Sequence, residues 1–274
     1  MIDAFVGIDV AFAKRKRLPL CVCVREGQRL RLIPLKGHDL PKPPAGKGNR
    51  AAMNPEVVRE FALETLAYLR TLEQRLGLEV EVVALDCPRR PKTHGTGRRL
   101  AEAVMDKRGI SCFTTPSQAE FALIRDKVEA FLRAGGAESK MPHANQLWML
   151  VGFELFATLE KHYECREVFP QAIVASLNCD AQHKSTLDGY SAQLAAAALA
   201  TGNSAEKLAR DLLTSVYGSR HDRLDAYFSA WIASLPTDKL EACGKPPWDV
   251  IWVPQVEGAE PGVCTRTAGF AARR

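Results

Sequence analysis

Three apolar runs of this chain each carry one acid at or near their C-terminal end. They are residues 4–10, 79–86 and 163–170, and the acids are Asp9, Asp86 and Glu167. Runs of this composition and length read as strands. A carboxylate buried alone is costly. Each run must therefore end in water or meet a partner where it ends. In open α/β sheets, sites form outside the carboxyl ends of the strands. Three acids in that position constrain the fold and the chemistry together.

The rest of the chain supplies the sheet and its cover. Residues 18–25 and 28–35 read as two further strands, joined by a tight turn at Arg25-Glu26-Gly27-Gln28. Cys21 and Cys23 alternate with Val22 and Val24, so the two thiols share one face. Residues 35–54 are rich in Pro, Gly and Lys and read as a flexible loop. Asn54-Pro55 then caps and opens a helix that Gly77 ends. A basic helix falls within 95–109, and Ser111–Thr115 reads as a short strand or an extended stretch. Helices follow at 117–133 and 143–162, and then at about 170–178, 186–201, 204–216 and 221–234. Residues 249–254 read as an edge strand, and the tail from about 255 as loose. The order predicts an α/β fold with a mixed sheet, antiparallel first and parallel after.

Composition narrows the class. The chain has 274 residues, 46% of them hydrophobic and 25% charged, which is ordinary for a globular protein. The net charge is +5, a weak lean towards an anionic partner. Seven of the basic residues lie between Arg89 and Arg108, against only Glu102 and Asp106. The eight cysteines include no C-x-x-C pair, so zinc is not indicated. The first residues carry no long apolar run, and no stretch approaches the length of a membrane span. The expectation is a cytoplasmic protein.

A fourth acidic feature is His-Asp-Arg-Leu-Asp-Ala at 221–226. Asp222 and Asp225 are three apart and share a helix face. If that helix packs beside the first strand, four or five carboxylates converge and raise one another's pKa. A divalent cation removes the conflict, and hard oxygen donors favour Mg²⁺ or Mn²⁺. The basic stretch after Asp86 then holds a phosphate backbone. Each acid also has a plainer reading. Asp9 caps a turn, Asp86 ends a strand, Glu167 pairs with Arg166 or a helix arginine, and Asp222 complements its helix dipole.

Together, GIDVAF, VVALDCP, RRLAEAVMDKRGISCFTTPS, REVFPQAIVASL, Lys184 and DRLDAYFSAW resemble the domain-of-unknown-function family numbered 429. Its members are predicted nucleases of the RNase H fold. The likeness runs in order from about residue 5 to 254. It implies one RNase H-like domain over 1–274, built on a five-stranded mixed sheet with extra helices inserted. The late Asp-x-x-Asp-Ala also resembles the corresponding helix of RuvC-type resolvases. By that likeness Asp9, Asp86, Asp222 and Asp225 are metal ligands, Glu167 belongs to the site, and Lys184 contacts phosphate. Arg89, Arg90, Lys92, Arg98 and Arg99 are the candidate nucleic-acid contacts.

The leading expectation is a nuclease acting by two-metal water attack, in which Asp9 and Asp225 bind one ion, Asp86 and Asp222 complete the pair, and His221 is a proton shuttle. The alternative is a nucleic-acid-binding module that does not cut. An actin-like phosphotransferase ranks last, since no glycine follows the first strand in Ala11–Arg17. The chain has neither of the glycine-rich nucleotide-binding signatures nor a serine elbow. Cys87 as nucleophile would need a base, and His94 is the only one nearby in sequence.

Overall fold

The structure is a computed structural model that describes residues 1–37, 39–93, 97–179 and 182–255. The tail expected from about 255 lies almost wholly outside the described residues, and so does His94.

A mixed seven-stranded sheet forms the centre, in the order β3-β2-β1-β4-β5-β7-β6. The strands are β1 (Ile2–Asp9), β2 (Leu20–Glu26), β3 (Arg29–Leu32), β4 (Leu78–Asp86), β5 (Glu164–Val168), β6 (Leu240–Lys245) and β7 (Asp249–Pro254). β1, β4, β5 and β7 run parallel, and the outer pairs are antiparallel. Seven strands replace the five expected. The unforeseen one is β6, whose sequence Leu-Glu-Ala-Cys-Gly-Lys has no β-branched residue and a glycine inside it. β6 takes the edge, so β7 is an internal strand and not the edge strand expected. Ser111–Thr115 is not a strand. Its Phe113 is exposed, and Thr115 is held by Glu102 instead of by a neighbouring strand.

Helices cover both faces. They are α1 (Pro55–Leu76), α2 (Leu100–Lys107), α3 (Gln118–Arg133), α4 (Ala144–Leu159), α5 (Pro170–Ser176), α6 (Leu187–Ala200), α7 (Ala205–Ser215) and α8 (Arg220–Ser234). The start of α1 follows from its sequence. Asn54 Oδ1 accepts from the Glu56 amide at 3.0 Å, Pro55 sits in the first turn, and Gly77 closes the helix at φ 64°.

Period-2 alternation assigns the core. Ala4, Val6 and Ile8 of β1 face α1, α3 and α4, while Cys21 and Cys23 of β2 face α6, α7 and α8. The two thiols share one face as expected, 3.4 Å apart. The loop expected to be flexible at 35–54 lies along the segment after β1. Leu18 N donates to Pro44 O at 2.9 Å, Gly46 N to Lys16 O at 2.8 Å, and Gly48 N to Phe12 O at 2.9 Å. Among the described residues no helix is long and apolar enough to cross a membrane.

Candidate functional site

The carboxyl ends of β1, β4 and β5 open into a cleft of about 450 Å³. Register decides which acids meet there. Asp9 pairs with Asp86 as the last couple of the β1–β4 ladder, so both side chains leave the same face of the sheet. That is the face covered by α8.

Gly7 lets α8 come close enough to matter. A Cβ on Gly7 would lie 2.0 Å from the Ala226 carbonyl oxygen and 2.2 Å from the Ala230 nitrogen. Only a residue without a side chain admits a helix backbone at that range. Gly7 and Asp9 are two apart on the strand and so share a face. Asp225, one residue before Ala226, is thereby delivered to the end of β1. Asp225 is 5% exposed, and Asp222 lines the same cleft one turn earlier. Asp222 also accepts from the Ser219 amide at 2.8 Å, closing a capping box at the start of α8.

The electrostatics follow from this crowding. Burial pushes the Asp9 carboxyl well above its ordinary value, and Asp225, Asp86 and Asp222 push it further. Burial and then Asp225 push Asp86 up to about 8. Asp225 is also raised by burial, with Lys184 pulling against the shift. The Lys184 ammonium donates to Asp225 Oδ2. Burial acts to lower its own pKa, but Asp225, Asp86 and Asp9 outweigh that and raise it. Lys184 thus bonds one acid of the four and acts on Asp86 and Asp9 as well, while Lys16 also lines the cleft.

Glu167 belongs to a different arrangement. It pairs across the β4–β5 ladder with Leu85, one residue short of Asp86. Its side chain therefore leaves the opposite face of the sheet. There it is 4% exposed and meets the Arg99 guanidinium through two bonds, of 3.0 and 2.5 Å. The Arg89 amide donates to it as well, at 2.9 Å. Arg99 in turn bonds Glu102 at 3.0 Å, and Glu102 accepts from the Thr115 amide at 2.9 Å. Asp249 holds the start of α2 by accepting from the Leu100 and Ala101 amides at 2.7 and 3.1 Å. Pairing with a helix arginine, the plainer reading of Glu167, is the one found.

The basic residues are largely occupied by the protein itself. Arg89 pairs with Glu160 at 2.6 Å, Lys92 with Glu120 at 3.1 Å and Arg98 with Asp106 at 2.9 Å. Arg99 is buried. Of the five candidate contacts, only Arg90 has no carboxylate partner among the described residues; its guanidinium lies 4.0 Å from the centre of the Trp248 ring. His221 accepts from Arg220 Nε at 3.2 Å and lies edge-on to Tyr190. Burial and the nearby Glu167 push the Cys87 thiol well up, so it is no ready nucleophile.

Sequence reading passed over two contributors. One is Gly7, signalled by a glycine two residues before the acid. The other is Arg99 in a positioning role, signalled by an arginine just ahead of an amphipathic helix. Comparison with protein-family models, curated proteins and solved structures finds no match to this chain.

Proposed function

We propose that the protein is a divalent-metal-dependent nuclease with an RNase H-like core, hydrolysing phosphodiester bonds of nucleic acid. One observation carries the reading. Asp9 and Asp86 end adjacent parallel strands in register, and α8 adds Asp225 and Asp222 to the same spot, with Lys184 bonded to Asp225. Within the seven-stranded sheet the run β3-β2-β1-β4-β5, antiparallel first and parallel after, supports the reading.

A metal ion fits these residues by donor chemistry. The donors are hard oxygens, and the pKa values of Asp9 and Asp86 are raised first by burial and then by the neighbouring acids, a repulsion that a cation would relieve. Among the described residues no three such groups already form a finished ligand cluster. Asp9, Asp86, Asp222 and Asp225 would hold Mg²⁺ or Mn²⁺, which when bound supplies an activated water and stabilises the leaving oxygen. Lys184 stands in for that charge while it bonds Asp225. Released from it, Lys184 is free to meet a phosphate oxygen. Glu167 and Arg99 act as positioning residues, since they fix the segment after β4 through the Arg89 amide.

The alternative is a nucleic-acid-binding module that does not cut, favoured by the internal neutralisation of Asp225. Mn²⁺ titration calorimetry on wild type and Asp9→Asn, run beside a cleavage assay on a substrate panel, separates the two. Metal binding and cleavage in wild type, both lost in the variant, are expected. Cleavage that survives Asp9→Asn would end the nuclease reading.

A further inference from the structure

A second cavity, of about 760 Å³, adjoins the carboxylate cleft. Helix α4 walls both, and the chain passes from Asp86 in one to Arg89 in the other within three residues, roughly 11 Å at most. Phe121 and Phe153 line it, packed edge to face with ring centres 5.7 Å apart. Its rim is Trp248, in the turn between β6 and β7, with 51% of its surface exposed. Arg89 anchors that turn by donating to Pro247 O at 3.1 Å.

The charges of this groove do not cancel. Arg89 is neutralised by Glu160, and Glu154 lies 3.6 Å from Arg59. Arg90 and Arg125 remain without a carboxylate partner among the described residues. Arg125 Nε is buried and has no hydrogen-bond partner. Arg90 and Arg89 both lie over the Trp248 ring, 4.0 and 4.7 Å from its centre, and the residue still keeps about half of its surface exposed. The unbonded Arg125 Nε and a half-exposed indole flanked by guanidinium groups suit an anion that also carries a flat ring.

We propose that this groove binds single-stranded nucleic acid, with a base stacked on Trp248 and phosphates on Arg90 and Arg125. Stacking on aromatic side chains together with cationic contacts to the backbone is how unpaired strands are held. A duplex hides its base faces and cannot use the indole in this way. The carboxylate cleft, rich in acids, cannot supply this affinity itself, so a strand approaching it needs a neighbouring cationic seat. The proposal rests on the nuclease reading only for what the strand is brought to; the binding needs no metal.

The test is fluorescence anisotropy of labelled 12-nucleotide dT and rU strands on the full chain in EDTA. Wild type is compared with Trp248→Ala and Arg90→Ala/Arg125→Ala, and circular dichroism confirms folding. Trp248→Ala should weaken binding at least about fivefold, the lower end of what one stacked base is worth. The double arginine variant should flatten the salt dependence by about two phosphate contacts. The dT and rU arms tell DNA from RNA. Absence of binding by wild type, unchanged binding in both groove variants, equal binding of duplex, or displacement by a glutamate-rich peptide would each overturn the proposal. Binding lost in the groove variants with no metal-dependent cleavage anywhere would keep the groove and end the nuclease reading instead.

Discussion

Two clusters of acids lie at the same strand ends, on opposite faces of the sheet, and their charge balance differs. Around Glu167, the Arg99 guanidinium, the Arg89 amide and Thr115 leave little of the acidic charge unmet. Around Asp9, four carboxylates meet one bonded lysine, Lys184, with Lys16 also on the cleft wall. The first cluster behaves as a built structural joint. The second holds a surplus of negative charge that folding alone does not relieve. A buried acid at a strand end is therefore not by itself a functional acid; what distinguishes the two is whether the protein supplies the counter-charge.

The sharpest way to break this contrast is to unbalance the balanced cluster. Arg99→Met leaves Glu167 and Glu102 buried without their main cation, and should cost about 3–5 kcal/mol in urea denaturation. Adding Glu167→Gln should recover much of that. If Arg99→Met melts like wild type, Glu167 is not held as described.

Next in size is Gly7→Ala. The new methyl meets the backbone of α8, which must move away, at a cost of about 3 kcal/mol. Because the same helix carries Asp225, this variant should also lose Mn²⁺ affinity in calorimetry, although it touches no carboxylate. Retained affinity would mean that α8 does not set the site.

The surplus cluster predicts a pH dependence. Folded Asp86 keeps its proton up to about 8, against an ordinary value of 3.8. A raised folded pKa contributes stability that is complete below 3.8 and is lost as pH climbs through 8. The metal-free protein should therefore lose about 2 kcal/mol between those limits, after discounting for water at a partly exposed carboxyl. Asp86→Asn should flatten that slope in melts across pH, and saturating Mg²⁺ should reduce it. An unchanged slope in Asp86→Asn would place the charge surplus elsewhere.

The smallest effect concerns Lys184. If it occupies the place of a cation, Lys184→Met should tighten Mn²⁺ binding about tenfold, or 1.4 kcal/mol, at pH 8. Weaker binding in the variant would make Lys184 a helper of the ion and not its rival.

Much of the fold is legible in the chain because local rules write it. The Asn54-Pro55 start and Gly77 end of α1, the alternation of Cys21 and Cys23, and the acids at the ends of β1 and β4 need only nearest neighbours to read. β6 escapes because its six residues carry no strand-forming pattern of their own and are held in place by β7. The basic stretch misleads for a related reason. Seven cations in twenty residues suggest a phosphate track, yet Glu160, Glu120, Glu167 and Glu241 reach Arg89, Lys92, Arg99 and Arg108 from elsewhere in the chain.

The sequence by itself determined the start and end of α1 and the acids that end β1 and β4, and that Asp9, Asp86, Glu167 and the Asp222–Asp225 pair are available to a site. Only the tertiary structure decided which of them keep company. A one-residue offset in the β4–β5 register sends Glu167 to Arg99 and Asp86 to Asp9, because side chains on a strand change face at every step. The docking of α8 on Gly7 then adds Asp225. Register and helix docking are set by packing between residues far apart in the chain, and no local pattern carries them.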